Sequence, residues 1–283
     1  MTWLSLALIS LSTLSVASVL ARVLLKNEDS NPVGYAIIFQ LVLGTISLIF
    51  AITLKKFVPP SNETSIIRFI FSTLLWAGST VFGFQTLKRL SAGESTILAS
   101  SGTFISIGLG IVFLGEVFKV AAIAGTVLIL LAVLIIATGN LNFRSREGII
   151  FGLLSSAFAA IAVVNDAVIL KSYEAFSYTA IMSFLPGFIL LLLFPKQIAK
   201  IPKMFDRKSF FIITILCMFY SIQAIAYYLA LQNGAPISRL SPIMKSSIVL
   251  TVILAAVFIK ERSNLKKKLI AAIMVTIGTI LLS

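Results

Sequence analysis

Histidine is absent from this chain, cysteine occurs once, as Cys217, and aspartate and glutamate together number only 10 in 283 residues. Without histidine and with a single thiol, a His/Cys zinc site or a haem site has no ligand set. One cysteine also excludes a disulfide-stapled secreted scaffold. Enzyme readings fail for want of parts. There is no imidazole for general base work, and no Gly-rich loop runs into Lys-Ser or Lys-Thr to cradle phosphate. Gly108-Leu109-Gly110 reads as a helix-packing pair instead. An intramembrane protease needs paired aspartates on facing helices, and only Asp166 falls inside an apolar run. No cofactor and no metal are expected. Charge of both signs is thin, at 12% of residues against 59% apolar, where an ordinary soluble domain has about 25% and about 45–50%. That balance excludes a soluble single domain and a disordered chain.

What the chain does have is long apolar runs. A hydrocarbon core about 30 Å thick needs about 20 apolar residues per helix. Ten runs qualify, at residues 3–25, 33–54, 66–87, 95–114, 120–138, 148–170, 177–194, 210–231, 237–258 and 268–283. They do not alternate apolar with polar as barrel strands do, and a lipid-exposed backbone must bond within itself. The predicted fold is therefore an all-α integral membrane protein of ten transmembrane helices. The first run lacks a basic leader and continues past 20 residues, so it reads as a retained helix rather than a signal peptide. The net charge of +13 sits between apolar runs, which is a membrane pattern. No nucleic-acid recognition module accompanies it. The expected partners are the lipid bilayer and a small-molecule substrate, with a homodimer allowed.

A shift of 145 residues lays the chain on itself without a gap: Leu24-Leu25-Lys26 on Ile169-Leu170-Lys171, Phe39 on Phe184, Ser101 on Ser246, Phe113 on Phe258 and Glu116 on Glu261. The constant register of five apolar runs defines two repeats, residues 1–145 and 146–283. Five is odd, so the second repeat enters the membrane from the opposite side. That is an inverted repeat, as found in many secondary transporters.

Both repeats end alike. Phe113-Leu114-Gly115-Glu116 precedes a short loop and a helix with Gly125, and Phe258-Ile259-Lys260-Glu261 precedes one with Gly278. The ninth run opens on Ala235-Pro236 and carries Pro242, and the eighth ends Ala226-Tyr227-Tyr228-Leu229-Ala230-Leu231. The whole chain resembles the EamA branch of the drug/metabolite transporter superfamily. Lys260 departs from the resemblance, where a Gly usually precedes the second Glu. The resemblance implies ten helices as inverted repeats, a central cavity lined by helices 1, 3, 4, 6, 8 and 9, and peripheral helices 5 and 10.

Orientation is read two ways. The face carrying loops 1/2, 3/4, 5/6, 7/8 and 9/10, side A, holds 16 Lys and Arg, against 6 on side B. The positive-inside rule puts side A in the cytoplasm and both termini outside. The family resemblance implies both termini cytoplasmic. The expected location is the cell membrane.

An ionisable residue within a span costs about 2.5–3.5 kcal/mol on insertion scales and needs a reason. Arg22, Glu94, Asp166, Arg239 and Lys245 qualify. The first, second and fourth lie near helix ends, where snorkelling accounts for them as well as function does. Lys245 lies eight residues into its run, about 12 Å deep, with Ser238, Ser241 and Pro242 on its face. It is expected to face the cavity and bind a carboxylate or phosphate. Gln223 with Tyr220 and Tyr227 on helix 8, and Trp76 on helix 3, are further candidate substrate contacts. The small residues Ser95, Ala99, Gly102, Ser106 and Gly110 of helix 4 read as close packing, and Glu116 and Glu261 as acids that open the following helix. Under the 145-residue shift Arg22 falls beside the mate of Asp166, and Glu94 on that of Arg239. Signs are thus exchanged between ends, which suggests gate pairs Arg22–Glu94 and Asp166–Arg239. The reading is a secondary transporter, not an enzyme on this inventory of parts, that exports a small metabolite such as an amino acid or organic acid by alternating access. Cationic-drug efflux and a non-transporting scaffold or receptor are the alternatives.

Overall fold

The computed structural model describes residues 1–24, 32–61, 63–90, 92–137, 145–196, 207–258 and 265–282. Among these residues there are ten α-helices and no strand. In chain order they are α1 (Trp3–Leu24), α2 (Pro32–Thr53), α3 (Glu63–Arg89), α4 (Ala92–Leu114), α5 (Val120–Ala137), α6 (Arg146–Ile169), α7 (Ala175–Leu193), α8 (Arg207–Gln232), α9 (Ile237–Phe258) and α10 (Leu265–Leu282). The helices match the apolar runs but outlast several of them. Helix α3 begins at Glu63 and ends at Lys88 and Arg89. An apolar-run criterion stops at the first polar residue, whereas backbone hydrogen bonding continues into the headgroup zone. Nine of the described helices are long and apolar enough to cross a membrane. The tenth, α10, opens on Lys266, Lys267 and Lys268, which leaves Leu269–Leu282 as its apolar part. The protein is a multi-pass membrane protein.

Local chemistry starts the helices where side chains can accept orphan N–H groups. Ser145 caps α6 by accepting from the Gly148 N–H at 3.1 Å, and the Glu174 carboxylate caps α7 by accepting from the Ser177 N–H at 2.9 Å. Pro186 and Pro242 lie inside α7 and α9.

Helix pairing is nearly unchanged when the halves are exchanged. Helix α3 packs on α6 as α8 packs on α1, and α4 packs on α6 as α9 packs on α1. The self-related pairs α2–α7, α4–α9 and α5–α10 also meet. The last pair is very close: a Cβ on Gly125 of α5 would lie 2.6 Å from the Gly278 carbonyl oxygen of α10. Only glycine permits that approach. Lipid tails are as apolar as a protein core, so small residues and interhelical hydrogen bonds do much of the joining. Ser47 and Ser221 share a bond of 2.9 Å between α2 and α8, and Ser15 of α1 donates to the Ser247 carbonyl of α9 at 3.1 Å. Large apolar side chains such as Phe113, Val120, Leu192 and Ile280 point outward, as a lipid-facing surface requires.

Candidate functional site

Between α4, α6, α8 and α9 lies a cavity of about 210 Å³. Helix α4 contributes Ala99, Gly102, Thr103 and Ser106. Helix α6 contributes Ser155, Ser156, Ala159, Ala160 and Val163. Tyr227 comes from α8, and Ser241, Met244 and Lys245 from α9. Of these only Lys245 carries a charge. Its Nζ donates to the Ala99 carbonyl oxygen at 2.9 Å, and this is its one hydrogen bond among the described residues. An ammonium has three N–H donors, so two remain for whatever occupies the cavity. The small residues of α4 serve two purposes here. Gly102 lets α6 come close, since a Cβ there would meet the Ser156 carbonyl at 3.0 Å, while Ala99, Thr103 and Ser106 leave open space beside it.

A second polar centre lies toward side B. Asp166 is fully buried near the end of α6. Its Oδ1 accepts from Ser72 Oγ at 2.6 Å and from the Tyr178 hydroxyl at 2.5 Å. Its Oδ2 accepts from Trp76 Nε1 at 2.9 Å and from the Tyr228 hydroxyl at 3.3 Å. The direction of the Ser72 bond is set by its neighbour: Asn165 Nδ2 donates to Ser72 Oγ at 2.7 Å, so the serine proton goes to Asp166. Arg68 of α3 completes the shell by donating to Asn165 Oδ1 at 3.0 Å. Tyr178 and Tyr228 meet edge to face, with centroids 4.9 Å apart. One carboxylate therefore ties α3 of the first half to α6, α7 and α8 of the second.

Glu116 makes a third junction at the same end. Gly115 adopts φ +66°, a left-handed turn that a side chain would strain. The chain then doubles back, and the Glu116 N–H donates to the Gly110 carbonyl at 3.3 Å. The Glu116 carboxylate accepts from the backbone N–H of Ile237 at 2.7 Å and of Ser238 at 2.8 Å. The sequence reading had this acid opening the helix that follows it, α5. It instead caps α9, at the positive end of a helix from the other half. Glu261, its counterpart, and Lys260 lie outside the described residues.

The remaining expected site residues are distributed as follows. Trp76 is spent on Asp166. Tyr227 and Ser241 line the cavity with Lys245. Gln223 lies away from that lining and donates through Nε2 to Ser10 Oγ of α1 at 3.2 Å. Tyr220 packs edge to face on Phe39 of α2, 4.9 Å between centroids. Glu94 is buried in the first turn of α4. Arg239 is half-buried in the first turn of α9 and is not among the donors to Asp166. Arg22 lies in α1, but its side chain is outside the described residues. Sequence reasoning passed over Ser72, Tyr178 and Thr103. Ser72 stands one helical turn before Trp76, a signal that was available, whereas nothing in the local sequence singles out Tyr178.

The chain matches the EamA-like transporter family over residues 1–138 and 146–283. It belongs to that family, a family of membrane transporters of the drug/metabolite type. Among solved structures, one described only as the crystal structure of a protein aligns over 99% of this chain and 94% of its own, with TM-score 0.76 and 14% identity. That likeness shows the fold. Comparison with curated protein sequences gave no match.

Proposed function

We propose that the protein is a secondary carrier of a small metabolite, working by alternating access between two inverted five-helix halves in the cell membrane. The observation that carries this reading is the cavity within the membrane-spanning layer, walled by serines, Thr103 and Tyr227 and holding the ammonium of Lys245 with two unspent donors. A lipid-embedded protein keeps a charge at that depth at considerable cost, and polar sites near the midplane are where such carriers bind cargo. Five spans per half and the exchange-related packing support the inversion. Lys245, Tyr227 and Ser241 are the proposed substrate contacts, with Gln223, Tyr220 and Trp76 supporting the walls from behind.

The gates follow from the two acid junctions. Asp166 and Glu116 both join the first half to the second at side B, so this conformer is read as closed there. Ala99, toward the side A end of α4, is the exposed rim of the cavity. Arg22 and Glu94 are the proposed gate groups of side A, and Asp166 and Arg239 those of side B, where each acts separately rather than as an ion pair because the four donors to Asp166 are neutral. Export of an amino acid or organic acid is the direction and cargo proposed. Uptake and release of labelled metabolites in proteoliposomes test the reading. Saturable flux that Lys245→Met removes is expected. A purified, folded protein with no flux for organic anions, amino acids or organic cations overturns it in favour of a scaffold.

A further inference from the structure

Outside the Lys245 cavity lies a cleft of about 220 Å³. Ile222, Ile225, Ala226 and Leu229 of α8 line it, with Leu6 of α1, Phe50 of α2 and Phe176 of α7. Every one of these side chains is apolar. Among the described residues α1 and α2 do not pack side by side; α8 packs on both and spans the gap between them. The four α8 residues stand at i, i+3, i+4 and i+7 and so share one face. That face is turned away from Tyr227, which lines the cavity, and from Tyr228, which reaches Asp166. The cleft therefore opens on lipid. Leu6, Phe50, Phe176 and Leu229 all lie within a turn of the side B end of their helices, so it occupies the side B leaflet.

Positive charge is held at the same end. Helix α2 closes in a Schellman turn: the Lys55 N–H donates to the Ile52 carbonyl at 3.0 Å, and the Lys56 N–H to the carbonyl of Ala51, the neighbour of Phe50, at 2.8 Å. Lys55 takes the left-handed position, φ 55°, where glycine is usual. The loop is then pinned to α7. Ser177 Oγ donates to the Lys56 carbonyl at 2.6 Å and accepts from the Val58 N–H at 2.8 Å, and Ser177 directly follows Phe176. The Tyr173 hydroxyl donates to the Val58 carbonyl. Lys55 and Lys56 are exposed, as are Leu54 and Phe57 on either side, so the segment carries two cations between two apolar anchors. Glu174, the acid beside Tyr173 in the chain, is taken up as the cap of α7. We infer that the cleft and the Lys55–Lys56 pair form a binding site for one anionic phospholipid of the side B leaflet, with an acyl chain along α8 and the phosphate against the two ammonium groups. A flat surface touches a chain on one side, whereas this cleft offers it four helices and so more dispersion contacts. The two cations select a headgroup of net negative charge, since a zwitterionic one brings its own cation. Helices α1 and α2 belong to the first half and α7 and α8 to the second, so the lipid bridges the halves. The site is separate from the Lys245 cavity and does not depend on the cargo.

Native mass spectrometry of the delipidated protein in detergent tests this, with dioleoylphosphatidylglycerol and dioleoylphosphatidylcholine as probes. Wild type is expected to hold one phosphatidylglycerol about tenfold more tightly than phosphatidylcholine. Lys55→Gln with Lys56→Gln brings phosphatidylglycerol down to the phosphatidylcholine level. Lys119→Gln, which removes an exposed lysine between α4 and α5, changes neither. Glycerophosphoglycerol, the same headgroup without chains, does not compete. Ala226→Leu narrows the cleft and weakens both lipids about tenfold, in protein shown to be folded by gel filtration. A second measurement needs no variant: phosphatidylglycerol with a diazirine on one acyl chain is photolysed on wild type, and the adducts should map to Phe50, Phe176 and Ile222. Equal affinity for the two lipids, or an unchanged affinity in the double lysine variant, overturns the site. So does competition by glycerophosphoglycerol, which would make it a free-phosphate site. Adducts spread evenly over the outward faces of α5 and α10 would mean annular lipid only and overturn it as well.

Discussion

Asp166 and Lys245 are both charged residues within the membrane-spanning layer, and their surroundings are opposite. Asp166 has four donors on its two oxygens, from α3, α7 and α8, and is fully buried. Lys245 has one carbonyl acceptor and an adjoining cavity. A buried charge whose hydrogen bonds are complete holds helices together. One whose hydrogen bonds are incomplete is kept for something that comes and goes. The difference separates joint from site without reference to sequence motif.

Replacing the joint should cost most. Asp166→Ala strands Ser72, Trp76, Tyr178 and Tyr228, at about 1–3 kcal/mol for each buried donor left unpaired. A thermal-unfolding scan in detergent should show the largest drop of any single substitution discussed here. Asp166→Asn, which retains acceptor capacity on one side-chain atom, should fall between it and wild type. If the alanine variant melts like wild type, Asp166 is not a joint. Exchanging charges, as Asp166→Arg with Arg239→Asp, should give additive losses of transport, because the donors round Asp166 are neutral. Recovery in the double variant would show coupling and make Arg239 the partner of Asp166 in another conformer.

Lys245→Met should act in the reverse sense. Flux should fall to background while the melting temperature stays level or rises, since an incompletely paired charge is removed from the membrane interior. A loss of stability comparable to that of Asp166→Ala would erase the contrast.

Glu116 sharpens the comparison from a third position, because its carboxylate is completed by backbone rather than by side chains. Glu116→Ala exposes the first N–H groups of α9 and should cost about 1–2 kcal/mol, as lost N-caps do. In a Cys217→Ser background, a Cys at Ser241 should also react faster with a membrane-impermeant maleimide presented on side B. An unchanged labelling rate would remove Glu116 from the side B closure.

Arg89 and Glu147 give the smallest effect. They form an ion pair of 3.2 Å between α3 and α6, with Glu147 74% exposed. Arg89→Ala should change stability by no more than about 1 kcal/mol, the range for exposed pairs, as measured by the same scan. Anything larger would make side A a second joint.

The depth of Lys245 and the polar company of Ser241 were legible because depth follows from counting residues along a span. Tyr227 was chosen by its spacing, and so was Gln223 on the same helix. Yet Tyr227 reaches the cavity, while Gln223 bonds Ser10 of α1. Spacing tells which residues share a face of α8 but not what that face meets. The shell of Asp166 was out of reach for a related reason. Three of its four donors lie 62 to 94 positions away in the chain, and the fourth, Tyr178, is 12 away on the next helix. Glu116 misled in the same manner, since an acid just before a helix is locally indistinguishable from one that caps a helix 121 residues on.

Ten helices, a two-repeat chain and a resemblance to a transporter family were already legible in the sequence. The physical cause is the bilayer: its thickness sets the length of each apolar run, and the lack of water within it forces the backbone to bond to itself. Rotation of each helix about its own axis was left to the tertiary structure. In a soluble protein the polar face of a helix marks the outside, but here lipid and protein core are equally apolar and a sequence carries little sign of which face is which. Which carboxylate is satisfied, which ammonium is not, and where the space beside it lies were therefore settled only when the ten helices packed.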